Sequence, residues 1–197
     1  GPRIPDEKIR QLYEKLDALE SGDVLVLSGS IPNTLPDDMY ERIMERLAGT
    51  DVRISVDATK DLLMNVLKYH PFLIKPNNYE LGEMFGVTLE SDDEIAEYAR
   101  KLQEMGARNV LVSMAGDGAI LVTEDGSVLK QLPPAGEVVN SVGAGDSMVA
   151  GFLAGYLKTG SYEEALKLGT AAGSATAFTS WLADPEAIDK LYKILDI

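Results

Sequence analysis

Apolar residues recur along the chain with two alternating periods. Between Pro5 and Glu20, Ile9, Leu12, Leu16 and Leu19 fall at helical spacing, and Pro5 and Asp6 suit a first turn. Val24-Leu25-Val26-Leu27 is then a continuous apolar run that ends in Ser28-Gly29-Ser30, which predicts a strand buried on both faces, as in a parallel sheet. The alternation continues with a helix over 36–48, a strand over 52–57 closing on Asp57, a helix over 60–69, and the short strand Phe72-Leu73-Ile74 ahead of Lys75-Pro76. Helices over 78–85 and 92–105 precede Val110-Leu111-Val112. Strands separated by crossover helices imply right-handed βαβ units.

The rhythm then changes. Asp117-Gly118 and Asp125-Gly126 are turn dipeptides on either side of Ala119 to Thr123, so strands over 110–114, 118–123 and 127–132 should form an antiparallel meander that Pro133-Pro134 stops. The remainder reads as helices over 144–159, 161–179 and 185–195. No solenoid-length repeat, low-complexity tract or linker interrupts the chain, so residues 1–197 read as a single domain of the α/β class, with a mostly parallel sheet between helices. Ligands on such sheets bind outside the carboxyl ends of the strands. That rule places Ser28 to Pro32, Asp57, Lys75 to Glu80 and Ser113 to Gly118 on one rim.

Composition narrows the chemistry. The chain has 197 residues, 18 basic against 32 acidic, for a net charge of −14. So negative a chain has no net attraction for nucleic acid or an anionic membrane, and neither is expected as a partner. Zero cysteines exclude disulfides, thiolate metal sites and cysteine nucleophiles, and the single histidine, His70, leaves no histidine cluster. Any catalytic base is therefore expected to be a carboxylate. His70, before Pro71, reads as a loop residue and Trp181 as packing. Neither a leader pattern in Gly1-Pro2-Arg3-Ile4-Pro5 nor a membrane-length apolar run is visible, which points to the cytoplasm.

The most informative stretch is Asn140-Ser141-Val142-Gly143-Ala144-Gly145-Asp146-Ser147-Met148-Val149-Ala150-Gly151. Three small residues entering a helix leave backbone N–H groups and the positive end of the helix dipole open to an anion. Asp146, in the first turn, could accept a proton from a substrate hydroxyl. The same residues also suit an ordinary helix start with an acidic first turn. A Walker loop would need Gly-Lys-Ser/Thr, and a dinucleotide fingerprint would need Gly in place of Met148.

This stretch resembles the C-terminal signature of the ribokinase-like sugar kinases of the phosphofructokinase B type. The resemblance implies a three-layer α/β/α sandwich in which the N–H groups of Gly143, Ala144 and Gly145 form an anion hole and Asp146 is the catalytic base that also contacts the sugar. Lys75-Pro76-Asn77-Asn78-Tyr79-Glu80 is similar to the family's Asn-x-x-Glu motif, implying that Asn77 and Glu80 hold Mg2+ and the nucleotide phosphates. The pair also has capping-box spacing, and both roles can hold at once. Ser113-Met114-Ala115-Gly116-Asp117-Gly118 is similar to the nucleotide-binding turn, Ser113, Ala115, Gly116 and Gly118 being the implied contacts and Ala115 standing where Gly is usual. A plain Asp-Gly hairpin is the alternative. Small residues from Gly169 to Ala177, Gly173 among them, resemble the helix that lines the adenine pocket, although close helix packing accounts for most of them. Ser30, in Ser28-Gly29-Ser30-Ile31-Pro32, is the implied sugar-phosphate contact. Asp57 either faces the cleft or, as its place suggests more strongly, caps the next helix.

Within the family, Lys68 to Asn78 and Asn140 to Phe152 are most similar to members that transfer the ATP γ-phosphoryl group to fructose 1-phosphate, giving fructose 1,6-bisphosphate. Members acting on tagatose 6-phosphate stand next, and a non-catalytic nucleotide-binding fragment is a further alternative. The resemblance covers the C-terminal two-thirds of the family's length, without its opening strands and lid. Exposed strand edges, association into homo-oligomers and an inactive isolated chain are expected on that account.

Overall fold

The computed structural model describes residues 3–58 and 60–195. Gly1 and Pro2, at the head of the segment without a leader pattern, lie outside the described residues. Six strands form one sheet: β1 (Val24–Ser28), β2 (Arg53–Asp57), β3 (Leu73–Ile74), β4 (Asn109–Ser113), β5 (Ala119–Val122) and β6 (Val128–Gln131), in spatial order 1-2-3-4-5-6. β1 to β4 pair in parallel, and β4, β5 and β6 form the antiparallel meander. The expected order of elements and the switch in pairing both hold.

Each parallel crossover steps one strand in the same direction, and right-handed crossovers of that kind deliver their helices to one face. α1 (Asp6–Asp17), α2 (Met39–Arg46), α3 (Lys60–Val66), α4 (Asn78–Phe85) and α5 (Asp92–Glu104) pack there. Ile54, Val56, Ile74, Val110, Val112, Ile120 and Val122 meet Tyr40, Ile43, Leu63, Leu81, Ile95 and Leu102 in one buried cluster. The alternate residues Leu73, Leu111, Ala119 and Leu121 point the other way, onto Val149, Phe152 and Leu153 of α6 (Ala144–Thr159) and Ala165 and Leu166 of α7 (Tyr162–Ala177). The period-two side-chain alternation of the strands thus builds two cores and three layers. α8 (Pro185–Ile194) follows, with Asp184 accepting the Ala187 N–H at 2.8 Å as its cap. No helix among the described residues is long and apolar enough to cross a membrane.

Two expectations fail. β1 is not buried on both faces: Leu27 is buried, but Val26 is 45% exposed. β1 is the edge of the described sheet, and the first turns of α6 stand off from it, leaving a cleft over Val26. Trp181 does not pack either; it is 77% exposed. The turn between α7 and α8 is held by the Trp181 carbonyl, which accepts the Thr179 hydroxyl at 2.5 Å, and the ring projects beside the exposed Leu182.

Candidate active site

The carboxyl ends of the parallel strands converge as the crossover rule requires. Gly29, just after β1, donates its N–H to the Asp57 carbonyl at 3.0 Å. Asn77 forms an isolated parallel bridge with Ser113, and the Ser113 N–H reaches the Pro76 carbonyl at 3.1 Å, tying the loop after β3 to the end of β4. Between these anchors Lys75 is only 8% exposed, with Nζ 3.4 Å from Asp57 Oδ1. Asp57 therefore faces the cleft, the first of the two placements its position allowed. Burial pushes its carboxyl above the ordinary value; Lys75 works against that rise, while Asp146 and Glu80 add to it.

The N-terminus of α6 closes over this group. Gly143 is the N-cap with φ +81°, a left-handed conformation that a side chain at this position would strain. The preceding loop is pinned to the end of α7, where the Val139 and Asn140 N–H groups share the Ala177 carbonyl at 2.8 and 3.1 Å. Asn140 also accepts the Val142 N–H and donates to the Ser180 carbonyl. Of the three amides expected in the anion hole, Ala144 is turned back to the Ser141 carbonyl at 3.2 Å. Gly145 lies against Lys75: a Cβ placed there would stand 3.2 Å from Nζ. Asp146 Oδ1 accepts a hydrogen bond from Ser28 Oγ at 3.2 Å. Val26, Ser28, Asp57, Asp146, Val149 and Ala150 line a cleft of about 90 Å³. A larger hollow of about 330 Å³, beneath α1, contains none of these residues.

Asn77 and Glu80 form a complete capping box on α4: Asn77 Oδ1 accepts the Glu80 N–H and Glu80 Oε2 accepts the Asn77 N–H, each at 2.8 Å. No group of three or more acidic or histidine side chains among the described residues could enclose a metal. The donor set of one carboxylate and one amide suits a magnesium ion that keeps its waters and arrives with phosphates. The turn after β4 is a 3₁₀ turn over Ala115–Asp117, with the Met114 N–H on the Gly118 carbonyl at 2.8 Å. Ala115 and Gly116 are exposed on the rim and Gly118 is buried. Ala115 has φ +48°, which gives a physical reason for glycine being usual there. Gly173 faces α6: a Cβ on it would lie 3.1 Å from the Ala144 carbonyl oxygen, so its smallness sets how closely the two helices meet below the hole. Ser30 is exposed on the loop beyond β1, and it is Ser28 that reaches Asp146. His70 sits before β3, at the far end of that strand from the rim, with Nδ1 3.0 Å from the Gly106 carbonyl, as a loop residue should.

Sequence reasoning placed Lys75 and Ser28 on the rim but gave neither a role in the site. A lysine after an apolar strand and a serine ending one are common, and neither carries a spacing signal. The clue for Lys75 was its place between Ile74 and Pro76, where an unpaired cation would be costly to bury.

Comparison with known proteins gives the family and the fold. Residues 3–186 match the pfkB family carbohydrate kinases. The chain is 47% identical over 191 residues to a 1-phosphofructokinase of Bacillus subtilis, covering 97% of this chain and 63% of that protein. It is 37% identical to a D-tagatose-1-phosphate kinase of Bacillus licheniformis, covering 96% and 62%. Phosphofructokinase-2 from Escherichia coli, solved in complex with substrates and products, superposes with a TM-score of 0.89 at 30% identity, covering 99% of this chain and 64% of that one. Arabidopsis thaliana ribokinase shares the fold, with a TM-score of 0.76 at 22% identity, covering 98% and 61%. The chain spans just under two thirds of the length of these relatives. With the glycine-capped helix, the aspartate behind it and the family match over 3–186 in agreement, the chain belongs to the pfkB family of carbohydrate kinases.

Proposed function

We propose that the chain carries the nucleotide and catalytic half of an ATP-dependent sugar-phosphate kinase, acting in the cytoplasm on fructose 1-phosphate. The observation that carries this reading is the meeting of Asp146, Gly145 and buried Lys75 at one helix N-terminus. The acceptor hydroxyl oxygen attacks the γ-phosphorus, the bond to the departing ADP oxygen breaks, and Asp146 takes the hydroxyl proton. The α6 N-terminus and the Lys75 ammonium lie where charge gathers on the transferred group. Glu80 and Asn77 would hold Mg2+ partly through water, and the ion would supply charge neutralisation of the nucleotide phosphates; the capping box occupies Glu80 Oε2 and keeps the carboxylate at the rim. The names of the two relatives support a ketohexose 1-phosphate as acceptor, so tagatose 1-phosphate is the second substrate to assay, in place of tagatose 6-phosphate.

The test has two parts. Mg-ATP at about 100 times its Kd adds roughly 2.7 kcal/mol by mass action and should raise Tm by several degrees. With the family's opening strands and lid supplied in the same protein, phosphoryl transfer to fructose 1-phosphate should fall by about 10²–10⁴-fold in Asp146→Ala, with folding intact. No thermal response at millimolar Mg-ATP defeats the nucleotide assignment. A response without transfer to either sugar phosphate, even with those strands supplied, favours a non-catalytic nucleotide-binding module.

A further inference from the structure

A general base needs its carboxylate held with one oxygen toward the acceptor, yet Asp146 stands on the exposed first turn of α6 with its side-chain torsions to be fixed. The group that fixes them is Ser28, whose Oγ donates to Asp146 Oδ1 at 3.2 Å across 118 residues of sequence. Ser28 is firmly mounted. It pairs with Asp57 in the β1–β2 register, and its carbonyl accepts the Tyr40 hydroxyl at 2.8 Å. The same hydroxyl also bonds the Gly29 carbonyl at 3.2 Å, so the strand end is tied from α2 as well as from β2. Of the other side chains lining the cleft, Val26, Val149 and Ala150 have no donor and Asp57 is committed to Lys75. An ionised carboxylate only accepts, so a hydroxyl is the chemistry that can hold it here.

We propose that Ser28 is a positioning residue for phosphoryl transfer, holding Asp146 by Oδ1 so that Oδ2 is presented to the acceptor hydroxyl. The proposal rests on the kinase reading above, but its contact is measurable without turnover. In a double-mutant cycle of Ser28→Ala and Asp146→Ala followed by denaturant unfolding, the two changes should be non-additive by about five-fold in the unfolding constant. In the assay with Mg-ATP and fructose 1-phosphate, run on the protein with the family's opening strands and lid supplied, Ser28→Ala should lower kcat about 10–30-fold with KM for the sugar phosphate changed less than about two-fold. Ser28→Thr, which keeps the hydroxyl, should return kcat to within about three-fold of the parent, a rescue that a purely structural role would not produce. Additive unfolding changes overturn the hold of Ser28 on Asp146. Unaltered kcat in Ser28→Ala, or a fall that threonine does not repair, overturns the positioning role. A protein with the opening strands and lid supplied that binds Mg-ATP but transfers nothing overturns the kinase reading and the catalytic role of Ser28 with it, while a non-additive cycle would still establish the contact.

Discussion

Lys75 and Gly145 meet at the N-terminus of α6, with the ammonium so near the backbone that a Cβ on Gly145 would lie 3.2 Å from Nζ and 3.4 Å from Cε. The pairing resolves an awkwardness in the composition. A chain of net charge −14 is an unpromising binder of polyphosphate, but a buried cation behind a glycine-capped helix end supplies a positive potential without a positive total. Asp57 Oδ1 stands 3.4 Å from the same ammonium.

Replacing Lys75 by Met should therefore do two separable things. It should weaken Mg-ATP binding by at least about ten-fold, read as loss of most of the nucleotide-induced rise in Tm. It should also leave Asp57 buried without its cation, destabilising the unliganded chain by about 1–3 kcal/mol. The double variant Lys75→Met/Asp57→Asn should recover stability and stay unresponsive to ATP. Recovery of the ATP response in the double variant would show that Lys75 acts on folding alone.

Ala115 marks a second point of stored cost. Its φ of +48° is a conformation that an L-residue with a Cβ adopts at a penalty of about 1–2 kcal/mol and glycine adopts freely. Part of the gain from glycine is offset by the greater freedom of the unfolded chain. Ala115→Gly should stabilise the protein by up to about 1 kcal/mol in denaturant titrations, and Ala115→Val should destabilise it. Destabilisation by glycine would show that the turn is not strained.

A network at the opposite end of the sheet should give the stability a pH dependence. Glu124 accepts the Tyr162 hydroxyl at 2.7 Å and the Arg108 guanidinium at 2.8 Å. Its partial burial would raise the carboxyl, but these hydrogen bonds and the nearby charge outweigh it and hold the group below its ordinary value. A carboxyl depressed in the folded state adds stability above its unfolded value, near 4.5, and loses it as pH falls through the lower folded value. Because both partners are partly exposed, the contribution at neutral pH is about 1 kcal/mol or less. Glu124→Gln should cost that much at pH 7, and the difference from the parent should vanish at acid pH. A difference that does not depend on pH would assign the effect to packing.

Most of the architecture was legible because local pattern and tertiary demand agree. Val110-Leu111-Val112 reads as a strand and is one, covered from opposite sides by α5 and α6. Gly143 to Asp146, three small residues followed by an acid, reads as a helix entry, and α6 begins there with Gly143 as its cap. The same reasoning misjudged Val26, whose apolar run matches that of a central strand although β1 lies at the edge. It also misjudged Trp181, since hydrophobicity predicts burial only where a neighbouring layer exists to bury against.

The sequence by itself determined the order of helices and strands, the change from parallel to antiparallel pairing after β4, and the family, because periodicity, turn chemistry and motif spacing are local properties of the chain. Only the tertiary structure decided that Ser28 bonds Asp146, that Lys75 backs Gly145, and that Asp57 faces the cleft beside Lys75. Those contacts join residues from 18 to 118 positions apart or face each other across layers, and their partners are chosen by the sheet's order and helix placement. A lone serine or lysine acquires a partner only when the fold carries one to it.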